Sequence, residues 1–264
     1  MYKEYWEIVQ TVKEKSPLVH NITNYVVMNN TANALLAMGA SPVMAHAINE
    51  VRDMVNIANA LVINIGTLSD EWITSMKWAM EEARRKHKPM VFDPVGVGAT
   101  PYRNRITADF ITDTPPSVIR GNASEILAAV SSEHKTKGVD STISTENAVD
   151  AARYLNENYG SVVCVSGKVD YIIDNGKEVK ISNGHPLMGK ITGMGCTASA
   201  LIGAFVGSHQ NHFEAVAAAM AYLGVAGELA AVQSSGPGSL QMNILDKLHN
   251  LSEEEFLDVV NIQY

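Results

Sequence analysis

Short apolar runs recur along the chain, and each ends in a polar residue or a glycine turn. They are Leu18-Val19-His20, Pro42-Val43-Met44, Ala60-Leu61-Val62-Ile63-Asn64, Met90-Val91-Phe92-Asp93, Ser117-Val118-Ile119-Arg120 and Ser161-Val162-Val163-Cys164-Val165. They are rich in β-branched residues and do not alternate with polar ones, the pattern of strands covered on both faces. Segments of helical period lie between them, at residues 25–38 (closed by Gly39), 50–59, 70–87, 122–131 and 146–159, and an amphipathic helix over 3–15 comes first. Strand alternating with helix predicts an α/β fold with a mostly parallel central sheet flanked by helices on both faces. One interruption stands out. Residues 170–174, then Asn175-Gly176, then 177–181 predict a hairpin with a type I′ turn, adding antiparallel strands at one sheet edge. Beyond Gly195 the pattern predicts only helices, at 197–207, 213–233, 239–248 and 253–260.

Composition narrows the classes. The 264 residues contain no linker, repeat or low-complexity tract, so a single domain over 1–264 is expected. A formal charge of −8 with no basic block argues against a nucleic-acid surface. Apolar runs break off short of about 18 residues, so no membrane span is expected. The N-terminal segment mixes charges of both signs and is not read as a signal peptide. Cys164 and Cys196 lie in unrelated contexts and read as free thiols, which points to a cytoplasmic protein.

The densest chemistry lies in Ile191-Thr192-Gly193-Met194-Gly195-Cys196-Thr197, a glycine-spaced turn running into a helix of small apolar residues. Glycines let backbone N–H groups turn inward, and the helix adds free donors and the positive end of its dipole. Together these suit an anion such as phosphate. Cys196 at the mouth is expected to be more acidic than an ordinary thiol near 8.5, although buried cysteines are commonly inert small hydrophobes. A thiol nucleophile would need a histidine base and an orienting partner. His20, His46, His185 and His209 are available, but none sits in a typical context.

In open parallel sheets, ligands bind outside the carboxyl ends of strands. Most other polar candidates fall there. Asn122 and Glu125 have the spacing of a capping box, and Glu125 could also help hold a hydrated Mg²⁺. Asp93, before Pro94, reads as a turn aspartate or as a second acidic contact for that ion. Gly96 and Gly98 form only a fragment of a dinucleotide fingerprint. In His20-Asn21-Ile22-Thr23-Asn24, Thr23 or Asn24 is expected to cap the next helix, leaving the others to line a pocket. Met44 fills core or touches a ligand. Arg120 can meet a phosphate, and Ser166-Gly167 offers a hydroxyl and open backbone. Neither zinc-ligand spacing nor a Walker-type phosphate loop occurs.

Six segments in register resemble the hydroxyethylthiazole kinases of the ribokinase-like superfamily. They are His20 to Asn24, Gly39-Ala40-Ser41-Pro42-Val43-Met44, Leu61 to Thr67, Asp93-Pro94-Val95-Gly96-Val97-Gly98-Ala99-Thr100, Ile119-Arg120-Gly121-Asn122-Ala123-Ser124-Glu125 and Ile191 to Thr197. The resemblance implies a ribokinase-like fold and MgATP-dependent phosphorylation of the hydroxyl of 4-methyl-5-(2-hydroxyethyl)thiazole. By position it places Arg120 and Ser166 on the ATP phosphates with Asn122 alongside. Met44, Gly193 and Asn24 would border the thiazole, Asp93 and Glu125 the magnesium, and Cys196 and Gly195 the point of transfer. It implies a homotrimer with sites at subunit boundaries, acting on small molecules rather than on nucleic acid or membrane. Sugar kinases of the superfamily carry an aspartate base where Cys196 stands. A neutral thiol is a poor base, but a loose phosphoryl-transfer transition state needs little early proton removal. Other readings are a kinase of hydroxymethylpyrimidine or pyridoxal type, a cysteine-nucleophile hydrolase, and a non-catalytic sensor.

Overall fold

A computed structural model describes residues 2–137 and 148–264, with 133–137 as backbone alone. Among the described residues nine strands form one sheet: β1 (Leu18–Ile22), β2 (Ser41–Val43), β3 (Ala60–Asn64), β4 (Met90–Asp93), β5 (Val118–Asn122), β6 (Val162–Ser166), β7 (Asp170–Asp174), β8 (Lys177–Ile181) and β9 (Ile262–Gln263). Their order is β2-β1-β3-β4-β5-β6-β7-β8-β9. Pairing is parallel from β2 to β6 and antiparallel from β6 to β9. Helices α1 (Lys3–Lys15), α2 (Met28–Met38), α3 (Val51–Ile57), α4 (Asp70–Arg85), α5 (Pro101–Asp113), α6 (Ala123–Lys137) and α7 (Ala148–Tyr159) precede or connect the parallel strands. Four more follow the hairpin: α8 (Met194–Val206), α9 (His212–Val232), α10 (Pro237–Asn250) and α11 (Glu253–Val259).

The unbroken apolar strands have the expected cause. Successive side chains point to opposite faces, and each face has its own core. Val62, Val91, Val118 and Cys164 pack with α1, α2, α8, α9, α10 and α11. Leu61, Ile63, Phe92, Ile119 and Val163 pack on the other face with α3 to α7. Helix α9 is long and apolar enough to cross a bilayer, but most of it is buried inside the fold. An apolar surface all round is what a helix covered on every side requires.

The hairpin forms as predicted, with Asn175 at φ 47° and Gly176 at φ 75°, the two positive values of a type I′ turn. It is not the outermost element, because β9 pairs with β8 beyond it. The all-helical expectation past Gly195 therefore fails at its last step. Two residues are too short for any period to register. Helix α5 also escaped the pattern. Its sequence is polar along much of its length, and Thr100 caps it just ahead of Pro101 at the first helical position. The predicted helix over 25–38 begins only at Met28, and its N-cap position, Val27, carries no side-chain cap. Neither Thr23 nor Asn24 caps it, and both are buried. Of the predicted helix over 146–159, residues 146 and 147 lie outside the described residues.

Candidate active site

The parallel strands end along one edge, and the candidate residues at or just past their ends stand in strand order. Met44 follows β2, Asn24 follows β1, Asn64 ends β3, Asp93 ends β4, Arg120 and Asn122 lie at the end of β5, and Ser166 ends β6. Asn64 and Asp93 are the last paired residues of β3 and β4. Beyond them the chains part, and the first turn of α8 lies against the gap. Ser199 of that helix donates to Asp93 Oδ2 at 2.7 Å.

Asp93 is fully buried. Its Oδ2 also accepts from Asn64 Nδ2 at 2.8 Å and lies 3.9 Å from Arg120 Nη1. Burial nonetheless outweighs Arg120, Ser199 and Asn64, and pushes the carboxyl up to about 6. Its Oδ1 is buried without a hydrogen-bond partner. A buried carboxylate oxygen in that state is costly unless something positive meets it. Asn64 hands the network on: its Oδ1 accepts from Asn24 Nδ2 at 2.9 Å and from Gly66 N–H at 3.0 Å. Asn24 Nδ2 also points at Cys196 Sγ, 3.4 Å away.

Helix α8 starts at Met194, one turn earlier than predicted, so Gly195 and Cys196 belong to its first turn. Gly193 at φ 78° is the N-cap, a left-handed position that favours glycine. The first intrahelical bond runs from Thr197 N–H to the Gly193 carbonyl at 2.8 Å. The N–H groups of residues 194–196 therefore precede the helical ladder, as an anion hole needs. Gly195 serves a different purpose from Gly193. A Cβ there would lie 2.5 Å from Arg120 Nη1, so the guanidinium occupies the space a side chain would take. Arg120 is only 9% exposed, and its Nη2 donates to Ser166 Oγ at 2.5 Å. Its Nε is buried without a partner. The structure thus brings Gly195, Arg120, Ser166 and Asp93 together.

The expectation of an acidified Cys196 is overturned. Its thiol is pushed up, first by burial and then by the charge of Asp93, with the amides of Asn64 and Asn24 and Arg120 opposing less strongly. Desolvation and a neighbouring carboxylate prevail over the helix end. A neutral thiol at this position is neither a ready nucleophile nor a base.

Glu125 forms the predicted capping box with Asn122. Asn122 N–H donates to Glu125 Oε2 at 2.9 Å, and Glu125 N–H donates to Asn122 Oδ1 at 3.0 Å. Its Oε1 accepts from Gly96 N–H at 3.0 Å, which ties the loop after β4 to α6. Among the described residues no three His, Cys, Asp or Glu side chains converge as a complete metal set. Mg²⁺ does not need one, since it keeps several waters and takes one or two carboxylates. The unpartnered Asp93 Oδ1, with Glu125 nearby, fits that demand.

Met44 lies just past β2, outside the strand predicted to contain it, and is half-buried. Gly193 packs on Val27, where a Cβ would come within 2.4 Å of Val27 Cγ1. Three residues escaped the sequence reading. Asn64 and Ser199 touch Asp93 directly, and Arg103 of α5 binds the loops after β3 and β4. A strand-terminal asparagine beside a strand-terminal aspartate was the available signal for Asn64. Ser199, inside an apolar helix, offered none.

The hydroxyethylthiazole kinase family model matches residues 9–254. A hydroxyethylthiazole kinase of Syntrophus aciditrophicus is 56% identical over 251 residues, covering 95% of this chain and 93% of that protein. The solved hydroxyethylthiazole kinase of Pyrococcus horikoshii superposes with a TM-score of 0.91 at 39% identity, covering 99% of this chain and 98% of that one. A ribokinase-like superfamily protein of Enterococcus faecalis shares the fold alone, with a TM-score of 0.64 at 15% identity over 91% of this chain and 88% of that one.

Proposed function

The chain belongs to the hydroxyethylthiazole kinase family, and from that premise we propose how its carboxyl edge carries ATP-dependent phosphorylation of the thiazole's hydroxyethyl arm. ATP lies toward β5 and β6, with its phosphates against Arg120, Ser166 and Asn122. The thiazole lies toward β2 and β1, bordered by Met44, Asn24 and Gly193. Transfer takes place between them, over the gap where β3 and β4 part and α8 begins. The observation that carries this reading is the guanidinium of Arg120 seated in the space left by Gly195, which puts a fixed cation beside the free N–H groups of a helix start. Donors and charge fixed in advance of the reaction stabilise a transferring phosphoryl group without reorganisation.

Holding alcohol and γ-phosphorus in line can contribute up to about 7–11 kcal/mol of the barrier. The Asn64 and Asn24 amides hold the Cys196 side of the cleft in one orientation, and Cys196 lines it as a neutral group. Mg²⁺, held through Asp93 and Glu125, would neutralise charge on the ATP phosphates. A homotrimer with the thiazole at a subunit boundary is supported by Tyr25 and Val26, apolar residues 63% and 64% exposed directly after Asn24.

ADP release is the test. It should require hydroxyethylthiazole and should disappear with excess EDTA and return with Mg²⁺. Equal or greater turnover with hydroxymethylpyrimidine or pyridoxal would assign the site to a sibling alcohol. EDTA-insensitive turnover would remove the ion from Asp93 and Glu125.

A further inference from the structure

Arg103 carries a contact set that none of the roles above uses. It projects from α5 and donates to three backbone carbonyls: Ile65, Val95 at 2.7 Å and Gly66 at 2.7 Å. Ile65 is the first residue past the end of β3, and Val95 the second past the end of β4. The parallel ladder ends at the pair Asn64 and Asp93. The guanidinium therefore adds one more rung across the two chains just where they separate. Its planar fork can bind several acceptors at once, which an ammonium cannot do in the same geometry. Nearby, Gly98 N–H donates to Asn104 Oδ1 at 2.7 Å, so the next residue of α5 holds the same loop.

The consequence reaches the cleft by a short route. Gly66, held by Arg103, donates its own N–H to Asn64 Oδ1 at 3.0 Å. Asn24 lies on Gly66 so closely that a Cβ there would stand 2.7 Å from Asn24 Nδ2. Asn24 in turn reaches Asn64 and Cys196. We infer that Arg103 is a positioning residue for the phosphoryl transfer: it braces the diverging ends of β3 and β4 and so fixes Asn64, Asp93 and Asn24 relative to the first turn of α8. This inference rests on the placement of the reaction at that gap.

The test uses the full chain with Arg103→Lys, which keeps the charge but cannot span three carbonyls, alone and combined with Asn24→Ala. Arg103→Lys should lower kcat at least tenfold and leave KM for ATP within about twofold, because the nucleotide strands β5 and β6 are not braced by it. In the Asn24→Ala background the same change should cost less than threefold, since coupled residues are not additive. An unchanged kcat, a loss confined to KM for ATP, or the same fold-loss in both backgrounds would each overturn the inference. Where Arg103→Lys does not fold, Arg103→Gln is read by the same criteria. Native protein with no thiazole-dependent ADP release would instead sink the underlying placement, whatever Arg103 does.

Discussion

Gly195 and Arg120 act as one unit. A side chain at 195 would displace the guanidinium, and the guanidinium is what makes the helix start cationic. Gly195 is helical and not left-handed, so Gly195→Val leaves the backbone unstrained. It should fold and lose kcat by about 10²–10³, the cost of one lost transition-state donor. Near-normal kcat in a variant with native circular dichroism would remove Gly195 from the site. Asp170 offers a second test at this scale. It caps Gly167 N–H at 2.9 Å, and burial pushes its carboxyl up to about 6 despite that bond and Arg120. The folded pKa lies above the ordinary carboxylate value, so the folded state retains a proton that the unfolded state has released. Its contribution to stability is present at low pH and is lost as pH rises from about 4 to about 6. Asp170→Asn keeps an acceptor for Gly167 and removes that cost. The variant should be more stable than wild type by about 1–3 kcal/mol at pH 7 and should lose the advantage near pH 4. Urea midpoints at both pH values check it, and a constant difference would refute the pH dependence. Single residues were readable in the sequence when a backbone rule exposed them, as with Asn122 and Glu125 at capping spacing. Asp93 stood out as a strand-terminal aspartate, but the burial that raises its carboxyl did not. Burial is a property of the packed molecule, and the same blindness made Cys196 look acidic.

The strands form as their apolar runs predicted, and the Asn175-Gly176 turn closes the hairpin. Helix boundaries were less secure. Helix α8 takes in Met194, Gly195 and Cys196, because a helical glycine costs only about 1 kcal/mol and packing against β1, β3 and β4 outweighs it. Helix α5 was missed although it holds two loops of the site through Arg103 and Asn104. Its first turn looks like loop in sequence because Arg103 serves the carbonyls, and Asn104 an N–H group, of the loops beside it. Helix α6 begins with the Asn122–Glu125 box, and Glu125 also holds Gly96. Asn122→Ala should cost about 0.5–2 kcal/mol, measurable as a lower urea midpoint. A change below about 0.3 kcal/mol would mean that Glu125 alone suffices as the cap.

At the scale of the molecule, one sheet separates two cores, and the edge between them gathers the site from six strands and one helix start. Its position at the carboxyl ends of the strands follows from parallel pairing and was expected from the alternation of strand and helix, whereas the order of the strands was not. The proposed assembly surface was not readable either, because an exposed Tyr25 or Val26 reads in sequence like any apolar residue before a helix. Light scattering should give three times the chain mass at micromolar concentration, and Tyr25→Glu combined with Val26→Glu should lower both the mass and the thiazole turnover. A wild-type monomer with full turnover would refute the shared site.

Helix α9 is apolar over most of its 21 residues, Glu214 and Glu228 being its acidic exceptions, and is wrapped by α1, α8, α10, α11 and the β6 to β8 strands. During synthesis it leaves the ribosome before α10 and α11 have emerged to cover it. For that interval it exposes a stretch that is, by length and composition, apolar enough to cross a bilayer. Shortened versions of the chain that retain α9 but stop before α10 should therefore partition into lipid or bind chaperones, so soluble expression of fragments depends on keeping this helix together with its wrapping.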